Sequence, residues 1–491
     1  MIYIYGNQKW NNLSAKKIAS SGTWHTISAA DRMIFAGKSY PIGRVNIGDG
    51  IGLTHLATAY PDADIIFYVS ESGSGNRDGS SWSNAAAAGD LVELVLRSSS
   101  GTAIFIAEGE YSSSVSLQIP AGVSLYGGFN RNDPSWESRN AFEHQSVLLC
   151  AVKGPTFVDG LVLFGENAEI SSAVNTVFLN GYVDCQSAAE NCFLKNSEVV
   201  FGGKDFSIQG CHFYKSKVRA LVTGRSGSQD SSIKDSLFDG CRFEGVDNYR
   251  LDCIVSVEDS IFTNCEILGL WRNHGSSDFG LKVHLDYDDG CLFVNCTFPD
   301  GCWNGGGSAG FSVNAKYYNC KGLRAWSFYN SLVVNCDCSY SSYGFYLLSS
   351  TFVNSTEVPA AAGKIAITGE FNGLYNVPWI TPGSAASEVN DFLTLGCDNS
   401  LWKFRNTGFA PAVGVQDLGN CPNPWLDPNG YRQYIAMFGD WHIESDSLLV
   451  GRSQYQSGEV DVILVPLKEK MQYDLDGKIR PQQQSLGCYE P

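Results

Sequence analysis

The stretch that decides the fold runs from 186 to 358, where one short phrase recurs. It reads Ala-Glu-Asn191-Cys192-Phe193, Ile208-Gln-Gly210-Cys211-His-Phe213, Phe238-Asp-Gly240-Cys241-Arg-Phe243 and Phe262-Thr-Asn264-Cys265-Glu-Ile267. It continues as Phe293-Val-Asn295-Cys296-Thr-Phe298, Tyr317-Tyr-Asn319-Cys320, Val333-Val-Asn335-Cys336 and a degenerate Phe352-Val-Asn354-Ser355. Successive cysteines lie 19, 30, 24, 31, 24 and 16 residues apart. A repeat with a period near two dozen residues signals a solenoid, in which no unit buries its apolar face alone.

A strand alternates its side chains with period two. If Phe262 points inward, Asn264 shares its side and Cys265 does not, yet Cys265 and Ile267 are apolar. A one-residue corner at the Asn/Gly position resolves the conflict, because those residues tolerate the left-handed backbone region. Each phrase therefore reads as strand, bend, strand. Stacking the phrases puts Asn in a ladder and Phe and Cys in internal columns. Val, Ile, Phe, Tyr, Thr, Ser and Gly dominate, and no 3.6-residue apolar stripe is present, which excludes a helical solenoid. The expected fold is all-β, a right-handed parallel β-helix.

The chain has 491 residues, 44% hydrophobic and 17% charged, with a net charge of −17. The acidic balance excludes nucleic acid as a partner, since phosphate binding needs clustered Lys and Arg. Sixteen cysteines would suggest disulfides in a secreted protein. Here most occupy one repeated inward position, where a free thiol acts as a small hydrophobe. No CxxC occurs and no run of 18 apolar residues is present, so neither a zinc knuckle nor a membrane span is expected. The start, Met-Ile-Tyr-Ile-Tyr-Gly-Asn, lacks the pattern of a secretory signal. These features read as a chain folded in a reducing cytosol.

Three domains are expected. Residues 1–62 form a β-rich N-terminal attachment or capping module, 63–380 the β-helix, and 381–491 the last coils and a C-terminal cap. A helix is expected over Ala85–Arg97, with Leu91, Leu94 and Val95 on one face, and an inserted loop over 415–445.

The order of phrases Tyr68-Val-Ser-Glu-Ser-Gly73-Ser-Gly75, Gly79-Ser-Ser-Trp82, Ile106-Ala-Glu-Gly109-Glu-Tyr111 and Leu125-Tyr-Gly-Gly-Phe129 resembles the opening of a group of right-handed β-helix surface proteins. These are the polymorphic-outer-membrane-protein and pectate-lyase-like group. The chain end, Asp474-Leu-Asp-Gly477-Lys-Ile-Arg480 and Gly487-Cys-Tyr-Glu490, resembles their closing signature, with Cys488 in place of a small residue. The phrases Gly22-Thr-Trp-His-Thr-Ile27 and Ala36-Gly-Lys-Ser-Tyr-Pro-Ile42 resemble β modules at the front of bacteriophage tail fibres. The resemblance implies the fold and leaves the chemistry open.

No Ser-His-Asp or Cys-His arrangement stands out, and no cofactor or metal is expected. Charges between 250 and 289 are the densest group outside the repeats, and carboxylates there would suit a glycosidase or a lyase. Aromatic rings between the phrases suit stacking on sugars. The candidate glycan-binding residues are Trp271, Arg272, His274, His284, Asp286, Asp288, Trp303, Trp326 and Tyr343. The leading expectation is a bacteriophage fibre or tailspike-like virion protein that attaches to host surface polysaccharide. Residues 1–62 would join other virion proteins, and the tailspike analogy implies a homotrimer. A bacterial cell-surface adhesin and a polysaccharide lyase or glycosidase are the alternatives, with catalysis the less favoured.

Overall fold

The structure is a computed structural model. It describes short strands within 2–41, then residues 56–132, 134–165, 167–201, 206–220, 231–245, 252–267, 273–274, 278–279, 282–298, 311–323, 327–337, 345–348, 350–353, 371–375, 377–378, 392–393, 403–406, 418–451, 473–482, 485 and 487–491. The chain divides into two compact units, residues 1–224 with 234–241, and residues 225–233 with 242–491. Each is built from coils of parallel β-helix, as the phrase predicts.

In the first unit three-residue strands stack in parallel and in register. Val177–Leu179 pairs with Phe193–Lys195, which pairs with His212–Tyr214, which pairs with Leu237–Asp239. In the second unit Ile261–Thr263, Leu292–Val294, Lys316–Tyr318, Leu332–Val334 and Thr351–Val353 do the same. Rings stack inside these columns: Phe213 on Phe238 at 4.7 Å, and Phe262, Phe293 and Tyr317 at 4.7 and 4.8 Å.

The one-residue corner is present, and each coil has two. Residues 175 and 180, 191 and 196, 210 and 215, and 235 and 240 all have positive φ in the first unit. So do 259 and 264, 290 and 295, 314 and 319, and 330 and 335 in the second. The two corners of a pair stand five residues apart and flank the three-residue strand.

This corrects the reading of one phrase with one corner. Asn191-Cys192 and Gly210-Cys211 sit at the leading corner, before the strand. Gly240-Cys241 and Asn264, Asn295, Asn319 and Asn335 with their cysteines sit at the trailing corner, after it. Similar residues occur at both corners because both impose the same backbone demand. At the leading corner of one coil Gly290 has a φ of 67°, and a Cβ there would meet Asp259 Oδ1 at 2.5 Å, so a larger residue must displace that carboxylate.

The Asn ladder forms. At the leading corner Asn191 Nδ2 donates to Asn175 Oδ1 at 2.6 Å. At the trailing corner Asn295 donates to Asn264, Asn319 to Asn295 and Asn335 to Asn319, at 2.8, 3.0 and 2.7 Å. The first Asn of each ladder holds a peptide from elsewhere in its unit. Asn175 accepts from Leu56 N–H and donates to its carbonyl, at 2.7 and 2.9 Å. Asn264 treats Cys421 alike, at 2.7 and 2.8 Å.

The residue after a corner is more than a small hydrophobe. Cys192, Ser197, Cys211, Ser216, Ser236 and Cys241 each donate to the carbonyl two residues back. Cys265, Cys296, Cys320 and Cys336 do likewise in the second unit. A hydroxyl or thiol there bridges the corner, so Cys and Ser exchange freely at this position. The twelve cysteines whose side chains are described are buried free thiols. Burial pushes the Cys185 and Cys488 thiols up to about 12, which keeps them unreactive.

Two regions depart from expectation. Ala86 bridges Val69 in extended form, and α-helical structure covers Leu91–Leu96 alone, preceded by a tight turn at Ala88–Asp90. Leu91, Leu94 and Val95 are buried, as their spacing predicts. The expected loop over 415–445 holds a helix, Pro428–Ala436, and the hairpin strand Asp440–Ile443. Asp427 caps that helix by accepting from Gly430 N–H, with Pro428 at its first position, a start signal in Asp427-Pro428 that was passed over.

Buried ion pairs close both units. In the first, Arg139 meets Asp159 at 2.6 Å and donates to the Gly127 carbonyl, with Trp136 stacked 4.6 Å from the guanidinium. In the second, the closing signature explains itself. Asp474 accepts from the amides of Asp476, Lys478 and Glu490, while Arg480 pairs with Glu490 at 2.8 Å and donates to Asn330 Oδ1 at 2.7 Å.

Candidate functional site

Of the predicted glycan-binding residues, Trp271, Arg272, Trp303, Trp326 and Tyr343 lie outside the described residues. His274 lies in the strand Asn273–His274, which pairs antiparallel with Asp278–Phe279. His284, Asp286 and Asp288 lie in Lys282–Asp289, where His284 is opposite Ile254 and Asp288 opposite Val257. The register shifts between Val255 and Ser256, so Asp286 is the extra residue of a bulge. The side chains of these four are not described.

Chain connectivity relates the positions. In the second unit every coil runs from a long-face strand through the corner pair to a third face, and then returns. The returns span 268–281, 299–310, 324–326 and 338–344. Each leaves after Ile267, Phe298, Leu323 or Asp337 and rejoins at Lys282, Phe311, Ser327 or Phe345. These four segments therefore enter at the same point of successive coils, between the third-face residue and the next long-face strand. Trp271, Arg272, His274, Trp303, Trp326 and Tyr343 all belong to those segments.

A second arrangement, which the sequence reading missed, lies on the third face of the first unit. Ala168–Val174, Tyr182–Glu190, Glu198–Phe201 and Lys217–Ala220 stack in parallel there. Val183, Cys185, Val199 and Phe201 turn inward and are buried. Alternation then sends Tyr182, Asp184, Glu198, Lys217 and Arg219 outward. Register aligns Lys153, Glu169, Asp184, Val200 and Arg219 in one column, and Tyr182, Glu198 and Lys217 in the next.

The two inner carboxyls sit in different environments. Glu198 accepts from Arg219 at 2.9 Å and faces Lys217 at 3.9 Å. Among the described residues Asp184 has no cation on it, and it accepts from Gln186 at 2.6 Å. Burial, and then the neighbouring Glu169 carboxylate, push the Asp184 carboxyl above the usual range. Burial, Asp184 and Glu198 likewise push up the Tyr182 phenol. A carboxyl held above its usual range, as Asp184 is, suits a proton donor. The outward charges are scattered over 153–219 one or two per strand, so no local cluster marked them. Aligning the coils on both corners is the step that would have found them.

Among the described residues no group of three His, Cys, Asp or Glu side chains is arranged to hold a metal, and no helix is long and apolar enough to cross a membrane. No family model and no curated relative matches the chain. Among solved structures it is similar to a pectate lyase, at 10% identity over 87% of this chain and 96% of the other, with a TM-score of 0.21. It is also similar to a mannuronic-acid-specific family 6 polysaccharide lyase from human gut microbiota, at 12% identity over 69% and 85% of the two chains, TM-score 0.28. An alpha-1,3-glucanase catalytic unit from Streptomyces thermodiastaticus is similar at 12% identity over 70% and 72%, TM-score 0.26. Likeness this distant carries nothing about sites or substrates, and the fold rests on the strand pairing itself.

Proposed function

We propose that the chain is a surface-attachment protein of the bacteriophage fibre or tailspike kind, carried on the virion, that binds a host surface polysaccharide through the second unit. The observation that carries this reading is the common point at which these four segments enter. Parallel coils place successive insertions about 4.8 Å apart, which matches a repeating polymer better than a small ligand. Trp271, Trp303, Trp326 and Tyr343 would offer ring faces, and Arg272, His274, His284, Asp286 and Asp288 would hold hydroxyls or charges. Residues 1–62 would join a neighbouring protein of the assembly, and the working form would be a homotrimer. Incubation with a panel of bacterial surface polysaccharides tests the binding. Retention of one polymer, lost in Trp271→Ala and Trp303→Ala, is the expected result, and no retention of any polymer refutes it. A monomeric mass in solution refutes the trimer. Retention without a virion origin would favour the adhesin alternative.

A second reading, glycoside cleavage or elimination, draws on Asp184 and Glu198. They occupy adjacent coils and adjacent columns, with Cα atoms about 8 Å apart from ideal strand spacings. Inverting glycosidases hold their two carboxyls on that scale, about 6.5–9.5 Å. The same incubation, read for new reducing or unsaturated chain ends, tests it. New ends that vanish in Asp184→Asn and Glu198→Gln support catalysis on this face, and intact polymer refutes it.

A further inference from the structure

We propose that His442 is a proton-operated latch for the C-terminal tail: as an imidazolium it ties residues 473–491 to the hairpin strand Asp440–Ile443, and as a neutral ring it releases one of the two ties. The inference rests on the described second unit and is independent of the glycan reading.

His442 lies between Asp440 on its own strand and Asp476, 34 residues further along the chain. Its Nε2 meets Asp476 Oδ2 at 2.7 Å, and its Nδ1 meets Asp440 Oδ1. The ring stacks on Tyr489 at 4.0 Å between centroids. A neutral imidazole carries one N–H and one lone pair. Facing two carboxylates, it can donate to one and must present its lone pair to the other. The imidazolium alone satisfies both, so the geometry itself selects the charged ring.

The surrounding groups agree. Burial opposes the charge, but the hydrogen bonds to Asp476 and Asp440 overcome it and hold the imidazole pKa above its ordinary value. Asp476 is correspondingly held below the usual carboxylate range: burial opposes this, and the bond to His442 together with the charges of His442, Lys316 and Lys478 outweighs it. The tail also brings Lys478 toward Asp476, and the coil brings Lys316, whose ammonium lies 5.6 Å from the Tyr489 ring. Asp474 is engaged by backbone amides. Tyr318, Tyr489 and Cys488 are buried and stay neutral. His442 is therefore the group of this set whose ordinary titration range lies nearest neutrality.

The direction follows from linkage. A folded-state pKa raised above the unfolded value of about 6.5 gives a stabilisation that is complete below that value. It fades as pH rises through the folded value. The tail is held most firmly in mild acid and loosens toward alkaline pH.

Two exchange measurements on the full chain, from pH 5.5 to 9, test the latch. Deuterium exchange at the His442 ring C–H, read on its peptide by mass spectrometry, gives its titration midpoint. Amide exchange of 473–491, corrected for intrinsic rate, gives the tail's opening. Tail opening should rise severalfold with pH, with the same midpoint as the ring. In His442→Gln it should be flat at the wild-type alkaline level, and in Asp476→Asn the ring midpoint should fall and the tail slope vanish. Peptides covering 292–298 should stay protected throughout, which separates latch loss from misfolding. A wild-type tail indifferent to pH, a slope that survives in His442→Gln, or a ring titrating at or below the ordinary histidine value would each overturn the proposal.

Discussion

The tight corner pair and the loose third corner of each coil obey opposite rules. Across the pair the spacing is five residues in every coil from 160 to 335. Across the third corner the chain is free. Leading corners follow one another after 15, 16, 19 and 25 residues in the first unit, and after 31, 24 and 16 in the second. The pair is constrained by positive φ, by an Asn or Gly that accepts it, and by a thiol or hydroxyl that bridges the bend. The third corner answers to none of these, so length accumulates where it costs little. Stability is written into the side of the coil that does not vary, and the proposed glycan binding draws on the side that does.

The contrast can be broken most severely where the tail joins a tight corner. Arg480→Met leaves Glu490 buried without its cation and takes from Asn330 Oδ1 its Arg480 donor, and should cost about 3–5 kcal/mol in denaturant unfolding. A loss below about 1 kcal/mol would mean that the tail is no part of the fold. Next comes the corner itself. Asn295→Val places a β-branched residue at a φ of 56° and cuts the ladder, and should cost about 1–3 kcal/mol. Asn295→Gly, which keeps the backbone and loses the ladder alone, should cost roughly half as much, and equal losses would remove backbone strain from the account.

Cys265→Ser sharpens the comparison further. Taken as a small hydrophobe, the thiol should not tolerate a hydroxyl. Taken as a donor across the bend, it should, as Ser197, Ser216 and Ser236 do. The expected change is under about 1 kcal/mol, and a loss of about 3 kcal/mol would restore the hydrophobic account. The smallest effect is predicted for the third corner. Excising 302–309 brings its coil from 24 to 16 residues, the length of the coil between Asn314 and Asn330. The unfolding midpoint should not move, while polysaccharide retention should fall. A lowered midpoint would show that this insertion carries the fold.

What the sequence disclosed follows the same division. Asn264-Cys265 and its relatives announced a corner because left-handed backbone favours Asn and Gly. The partner corner stayed hidden because Lys215, Asp235 and Asp259 occupy it in three coils, and no alphabet of two residues marks it. The shift of the phrase from leading to trailing corner between Cys211 and Cys241 disguised the pair as one irregular repeat. The charged face of Tyr182, Asp184, Glu198 and Arg219 was illegible for another reason. Its members are brought together by coil register, and register cannot be assigned until both corners are known. Glycan-binding residues chosen for local density, such as Trp271 and His274, carry no such dependence. They mark where extra chain enters, and their side-chain arrangement lies outside the described residues.

The ladder from Asn175 to Asn191 also says how a chain of this kind can grow. Residues 175–190 run from one leading corner to the next, so a tandem copy of this segment begins and ends on the same chemistry. The added Asn would find an Asn on either side, the short strand a matching short strand, and the bridging Thr176 a matching position at Cys192. Duplication in multiples of that cassette lengthens the rod by about 4.8 Å per copy without any new junction to solve, whereas a duplication cut elsewhere must invent one. The Asn corner is thus a splice point as well as a bend.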